Sequence, residues 1–191
     1  MTHAALHGYH AVDITDAELA RRATAGDAAS FATLVDRHAP ACLRFATRML
    51  DSPEDAEEAT QDAFWRAHRA IHRFDDRANF RTWLMSILIN RCRTMLLHRR
   101  RRAARIVLDD DAVRRAVAPV SGSDAELRGA IQRALVRLDV GQREAFLLKH
   151  VELLSYDEMS AITGLGISAL KMRVQRACDR LQALLEEDGY A

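Results

Sequence analysis

Residues 155–177 read Ser155-Tyr-Asp-Glu-Met-Ser-Ala-Ile-Thr-Gly-Leu-Gly-Ile-Ser-Ala-Leu-Lys-Met-Arg-Val-Gln-Arg-Ala177. Ser155-x-x-Glu158 is a capping box, which predicts a short helix carrying Met159 and Ile162 inward. Thr163-Gly164-Leu165-Gly166 then makes a turn, with Gly164 at the point where a left-handed backbone is needed. Beyond it Ile167, Leu170, Val174, Ala177 and Leu181 recur every three or four residues and form the buried stripe of a second helix. Ser168, Ala169, Lys171, Met172, Arg173, Gln175 and Arg176 are left facing outward. A second helix with a basic outer face after a tight glycine turn fits the DNA major groove. Its Lys and Arg side chains suit phosphates, and Arg also reads guanine edges. An αα-hairpin with a solvated basic surface has the same periodicity and stays open as the alternative.

Upstream the chain is helical in the same way. Thr15-x-x-Glu18 and Ser123-x-x-Glu126 are further capping boxes, and Gly26-Asp27 is a break. Ser52-Pro53 restarts a helix with Ser as cap, Pro in the first turn and acids beside it, where the helix dipole favours them. Phe74 to Asn79 lacks helical periodicity and reads as a loop. A long helix follows, with Trp83, Leu84, Ile87, Leu88, Cys92, Met95 and Leu96 at helical spacing. Trp65 and Trp83 sit at helical spacing from Phe64 and Ile87, which favours core packing over a stacking platform. Apolar periodicity is lost from Arg99 to Gly122, and this stretch is the expected linker. The expected fold is therefore all-α: two small helical domains at 15–98 and 123–188, a basic linker at 99–122, and a disordered tail at 1–14.

Composition narrows the function. Only 8 Gly and 3 Pro occur in 191 residues, which favours helix over sheet. The sequence contains neither a basic segment followed by an apolar run at its start nor ~18 uncharged apolar residues in a row, so a cytoplasmic protein is expected. The 3 cysteines, Cys42, Cys92 and Cys178, are far apart and read as reduced core thiols. His3, His7 and His10 lie in the tail and do not read as a metal site. No Gly-rich phosphate loop, metal-spaced Cys/His set or nucleophile motif is present, so neither an enzyme nor a cofactor is expected. The net charge of +1 hides a sorting of charge. Residues 52–65 carry Glu54, Asp55, Glu57, Glu58 and Asp62 with no Lys or Arg. Residues 77–108 carry Arg77, Arg81, Arg91, Arg93, Arg99, Arg100, Arg101, Arg102 and Arg105 with no acid. Two partners of opposite charge are implied.

The segment Gln142 to Ala177, with Gln-Arg-Glu, Glu-Leu-Leu-Ser-Tyr-Asp-Glu-Met and Lys-Met-Arg-Val-Gln-Arg-Ala, resembles region four of the extracytoplasmic-function sigma factors. Ser52-Pro-Glu-Asp-Ala-Glu-Glu-Ala-Thr-Gln-Asp-Ala-Phe-Trp-Arg-Ala67 and Phe80-Arg-Thr-Trp-Leu84 independently resemble region two of the same family. The resemblance spans roughly Thr15 to Leu185. It implies a transcription initiation factor that binds core RNA polymerase and directs promoter recognition and melting. A stand-alone helix-turn-helix regulator is the rival. That reading leaves the acidic helix and the loop before Phe80 unexplained.

The resemblance also implies site residues. Asp55, Glu58, Gln61 and Asp62 would meet the clamp helices of the largest polymerase subunit. Arg77, Asn79, Phe80, Arg81, Asn90, Arg91 and Arg93 would meet the minus-ten element, with Asn79 offering its amide to a flipped base. Ser168, Ala169, Lys171, Met172, Arg173 and Arg176 would meet the minus-thirty-five element, and region four would touch the polymerase flap. An anti-sigma protein and a monomeric free state are further implications. The chain departs from the family pattern at four places. Met172 stands where Ser is usual and Ala169 where Thr is common. Leu154 replaces the usual Gly, and Asp139-Val140 replaces a Pro pair.

Overall fold

The computed structural model of the chain describes residues 14–75, 79–106 and 123–190. Arg77, the histidines of the tail, and the stretch 107–122 lie outside the described residues, as do the side chains of Ser123 and Arg105. Among the described residues every regular element is a helix: α1 Asp16–Thr24, α2 Ala28–Leu50, α3 Pro53–Ala70, α4 Phe80–Ile106, α5 Ser123–Arg137, α6 Val140–Phe146, α7 Tyr156–Thr163 and α8 Ile167–Glu187. A 3₁₀ turn at Ile71–Arg73 and a π turn at Leu147–Val151 complete the order.

The helix starts follow from local chemistry. Thr15 Oγ1 accepts from Glu18 N, Asp27 Oδ1 from Ala29 N and Ser52 Oγ from Asp55 N, so each answers an orphan N–H of a first turn. Asp139 caps α6, its Oδ1 accepting from Gly141 N at 2.8 Å, with Val140 in the first turn. Where the resemblance implies a Pro pair, this chain thus has a capping residue. Pro40 does not interrupt α2. It lies on the exposed face, where water can take the carbonyl it leaves without a donor.

Phe45, Leu34, Met49 and Leu50 of α2 are buried with Leu84, Met85, Leu88 and Ile89 of α4, and α3 covers them with Ala56, Ala59 and Ala63. Each large side chain buried in this way contributes about 1.5–3 kcal/mol. Alanines along α3 let it approach α2 and α4 closely. In the rear unit Leu135, Leu147, Leu148 and Met159 are buried with Leu170, Val174, Ala177 and Leu184 of α8.

One expectation is corrected. α4 continues to Ile106, so Arg99 to Arg102 are the end of a helix and not the start of a linker. Arginine is a good helix former, and an exposed helix end needs no apolar stripe. The units also share one continuous apolar cluster, with α4 packed on α7, and α2 on α5, α6 and the π turn.

Candidate nucleic-acid and partner interfaces

The capping box of α7 is closed in both directions. Ser155 Oγ accepts from Glu158 N at 3.2 Å, and the Glu158 carboxylate accepts from Ser155 N at 2.8 Å. These bonds to Ser155 hold the Glu158 carboxyl below its ordinary range. Gly164 ends α7 at φ 72, its N–H donating to Ser160 O, and Gly166 opens α8. Leu170, Val174, Ala177 and Leu181 are buried as the spacing requires, whereas Ile167 is 38% exposed and stands apart from that stripe.

Ser168, Ala169, Lys171, Met172 and Arg176 are exposed together on α8. Arg173 is half-buried, because its guanidinium lies over Gly141, where a Cβ would come within 2.9 Å of Nη1. The absent side chain of Gly141 is therefore what seats Arg173. Lys149 and Lys171 both sit over the Tyr156 ring, with Nζ 4.7 and 5.7 Å from its centroid. The left-handed residue before α7 is Leu153, at φ 56 and 80% exposed. Leu154 is buried, so the backbone demand that suits a glycine falls one residue earlier than the sequence comparison placed it.

At the start of α4, Asn79 is exposed and acts as the cap: its Oδ1 accepts from Thr82 N at 3.2 Å and its carbonyl from Trp83 N at 3.0 Å. Its amide N–H groups are not used by that bond. Phe80 was expected to face DNA and does not, being 2% exposed. It packs in an aromatic cluster with Phe74, Trp83 and His38, at centroid distances of 5.7, 5.7 and 5.5 Å. As the first residue of α4 it drops into the core and orients Asn79 outward beside it. Trp83 joins that cluster as expected, but Trp65 is 56% exposed on α3, beneath the Arg69 guanidinium at 4.6 Å.

Arg81, Arg91 and Arg93 of α4 are each engaged. Arg81 donates to Glu152 Oε2 at 2.6 Å and to Glu152 O at 3.1 Å. Arg93 makes a fork with Glu144, at 2.7 and 2.6 Å, and this carboxylate raises the Arg93 pKa. Asn90 is exposed and its Oδ1 accepts from Arg93 at 3.4 Å. Arg91 donates to Glu58 at 2.7 Å, and its Nε lies 2.8 Å from Asp62 Oδ2 without hydrogen-bond geometry.

Seen from α3, Glu58 and Asp62 thus lean on α4, Asp62 also accepts from Arg66, and Asp55 lies 3.4 Å from Arg99. Gln61 faces the other way. With Glu57 and Thr60 it lines a groove of about 410 Å³ whose far wall is Ala39, Pro40 and Leu43 of α2. Sequence reasoning missed this groove, although an unburied Pro40 and Leu43 at helical spacing were its signal. It also missed Glu144 and Glu152, two buried acids whose partners lie 51 and 71 residues away.

Comparison with known proteins matches residues 34–102 to the family Sigma-70 region 2 and residues 128–181 to Sigma-70, region 4. The RNA polymerase sigma factor CarQ of Myxococcus xanthus is 34% identical over 83% of this chain and 90% of the relative. The ECF RNA polymerase sigma factor SigM of Mycobacterium tuberculosis is 36% identical over 92% and 86%. Among solved structures, CnrH in complex with the cytosolic domain of CnrY superposes with a TM-score of 0.69 at 32% identity, covering 91% of this chain and 98% of that one. The sigma factor RpoE of Bartonella quintana, in complex with the anti-sigma factor NepR, gives 0.66 at 31% identity over 82% and 96%. Two regions in the family's order, on a helical scaffold shared with its solved members, make this chain a member of the sigma-70 family of RNA polymerase sigma factors, in its extracytoplasmic-function group.

Proposed function

We propose that this sigma factor divides initiation between two surfaces, with units bounded near 15–106 and 123–188. The α3 acids Asp55, Glu58 and Asp62, with Gln61, dock on basic helices of core RNA polymerase, an attraction that salt weakens. Opposite charge steers the encounter, and the α2–α3 groove beside Gln61 gives it an apolar centre. In the rear unit the exposed α8 residues enter the major groove of the minus-thirty-five element. Lys171, Arg173 and Arg176 hold phosphates or guanine edges. Met172 and Ala169 have no hydroxyl and offer apolar surface suited to a thymine methyl.

Melting falls to the front unit. Asn79 presents its free amide N–H groups to an extruded base of the minus-ten element, while Arg77, Arg81, Asn90, Arg91 and Arg93 track the backbone. Phe80 supports the loop from beneath. Trapping a flipped base offsets the few kcal/mol lost in unstacking it, so opening proceeds without nucleotide hydrolysis and without a catalytic residue. The factor works where the polymerase is, in the cytoplasm. The complexes of CnrH with CnrY and of RpoE with NepR support an anti-sigma protein as its further partner.

The observation that carries this reading is the exposed basic face of α8, where among the described residues no carboxylate pairs with Lys171 or Arg176, in one chain with the acidic α3. Transcription by purified core polymerase on candidate promoters, with and without the protein, tests it. Transcripts that require the protein are expected, and failure to bind core at low salt would sink the reading in favour of a stand-alone regulator.

A further inference from the structure

Gly141 follows Val140 in the first turn of α6, and its backbone does not need a glycine. Gly26, Gly164 and Gly189 have φ of 97, 72 and 85, a region that suits glycine, and Gly141 is not among them. Inside a helix glycine is the poorer choice, because alanine has less conformational freedom to lose on folding. Space explains the residue instead. A Cβ on Gly141 would stand 2.9 Å from Nη1 and 3.5 Å from Cζ of Arg173, too close for the guanidinium to stay. Among the described glycines it is the one position where an added carbon would come within 3.0 Å of a side chain.

The Arg173 guanidinium thus rests on a bare Cα of the neighbouring helix. Asp139 Oδ1, which accepts from Gly141 N, lies 3.3 Å from the same point and flanks the notch without closing an ion pair. Among the described residues Arg173 donates to no acid and to no carbonyl, so its N–H groups stay available. Its place on α8 is the rim of the outward face. Ala169 and Arg176, one turn away on either side, are exposed, whereas Val174 is buried. From the rim of a recognition helix a side chain meets the phosphates of the groove wall before it meets base edges on the floor.

We propose that Gly141 is a positioning residue for promoter binding: its bare Cα is a notch that holds the Arg173 guanidinium at the rim of α8, aimed at a backbone phosphate of the minus-thirty-five element. The proposal rests on the assignment of Arg173 to that element and adds what aims it. Arginine gives up much rotamer freedom when it is fixed. A guanidinium ordered before DNA arrives therefore grips a phosphate more tightly than a loose one. Phosphate contacts set the register of a recognition helix without reading sequence. α6 thereby fixes where α8 sits in the groove, and the bases are left to Lys171, Met172 and Arg176.

The test is a mutant cycle on the full chain, read by anisotropy of a labelled minus-thirty-five duplex at low salt. Arg173→Ala should weaken binding about tenfold and lower the slope of log affinity against log salt by about 1. Gly141→Ala should weaken it about three- to fivefold, equally on the promoter duplex and on a scrambled one. Its melting temperature should match or exceed that of wild type, since alanine favours the helix. Added to Arg173→Ala, the Gly141→Ala change should cost nothing further, because the side chain it displaces is gone. A Gly141→Ala chain that binds as tightly as wild type would overturn the notch. An equal loss on the Arg173→Ala background would do the same, by placing the effect in the fold of α6. A loss confined to the promoter sequence would overturn the phosphate contact. Arg173→Ala without effect would remove the DNA assignment and the notch together, whereas a loss for Arg173→Ala alone removes only the notch.

Discussion

The two faces proposed for DNA are built from the same side chains and differ in what those side chains already hold. On α8, Lys171 and Arg176 stand exposed, and among the described residues no carboxylate pairs with either. On α4, Arg81, Arg91 and Arg93 each close on an acid at 2.6–2.8 Å. An exposed cation gains counterion-release energy on meeting a phosphate at once, whereas a paired one must first lose its acid. Counting arginines therefore overstates what Arg81, Arg91 and Arg93 can offer a phosphate, and does not do so for Lys171 and Arg176.

The largest expected effect lies on the acidic side of that pairing. Reversing Glu58 and Asp62 to Arg should weaken core binding by at least about thirtyfold, read by anisotropy of labelled protein against core polymerase. Unchanged binding would move the interface to the groove beside Gln61. Next, Lys171→Ala/Arg176→Ala should weaken a minus-thirty-five duplex and lower the slope of log affinity against log salt by about 2. The matching change on α4, Arg81→Ala/Arg93→Ala, should leave duplex binding by the free chain almost unmoved and show itself only once core is added. Equal losses on both faces in the free chain would erase the contrast between them.

A smaller effect separates two duties of Asn79. Asn79→Ala should cost about 1 kcal/mol of stability through the lost cap, whereas Asn79→Asp keeps an accepting oxygen and should keep the melting temperature. Both should impair open-complex formation in a permanganate footprint, because both lack the amide donor. Normal opening by Asn79→Asp would show that the base contact does not use it.

A last effect is confined to alkaline pH. Burial pushes the Cys42 and Cys92 thiols from 9.0 up to about 12. The raised folded-state value means that their contribution to stability is fully present below about pH 9 and is lost as pH climbs towards about 12. Denaturant midpoints of wild type and Cys42→Ala/Cys92→Ala should keep a constant difference to pH 9 and converge above it. A difference that does not change with pH would show that the thiols do not titrate in this window.

Much of the architecture was legible because it is local. Ser52, Ser155 with Glu158, and Gly164 each satisfy or release a backbone group within a few residues, and the structure uses all of them as the spacing demands. The helix-turn-helix was equally legible, since Leu170, Val174, Ala177 and Leu181 sit on one face of a single helix. What failed was nonlocal. Phe80 was expected among the DNA-facing residues, yet it packs on His38, more than forty positions earlier in the chain. Trp65 has helical spacing to Phe64, but adjacent residues on a helix point about 100° apart, and only Phe64 turns inward. The contact between the two units could not be read at all. Neither Glu144 nor Glu152 differs, by type or neighbourhood, from any solvated acid until the fold brings Arg93 and Arg81 to them.

Leu153 carries a consequence of another kind. Its φ of 56 places a branched residue in a backbone region costing about 1–2 kcal/mol, and its side chain, 80% exposed, recovers little of that by packing. Evolution has left slack at this corner, of the sort that persists when a protein need only clear a stability threshold. An engineer seeking a hardier chain for biotechnology would start at this one exposed corner, with Leu153→Gly, before touching any buried position.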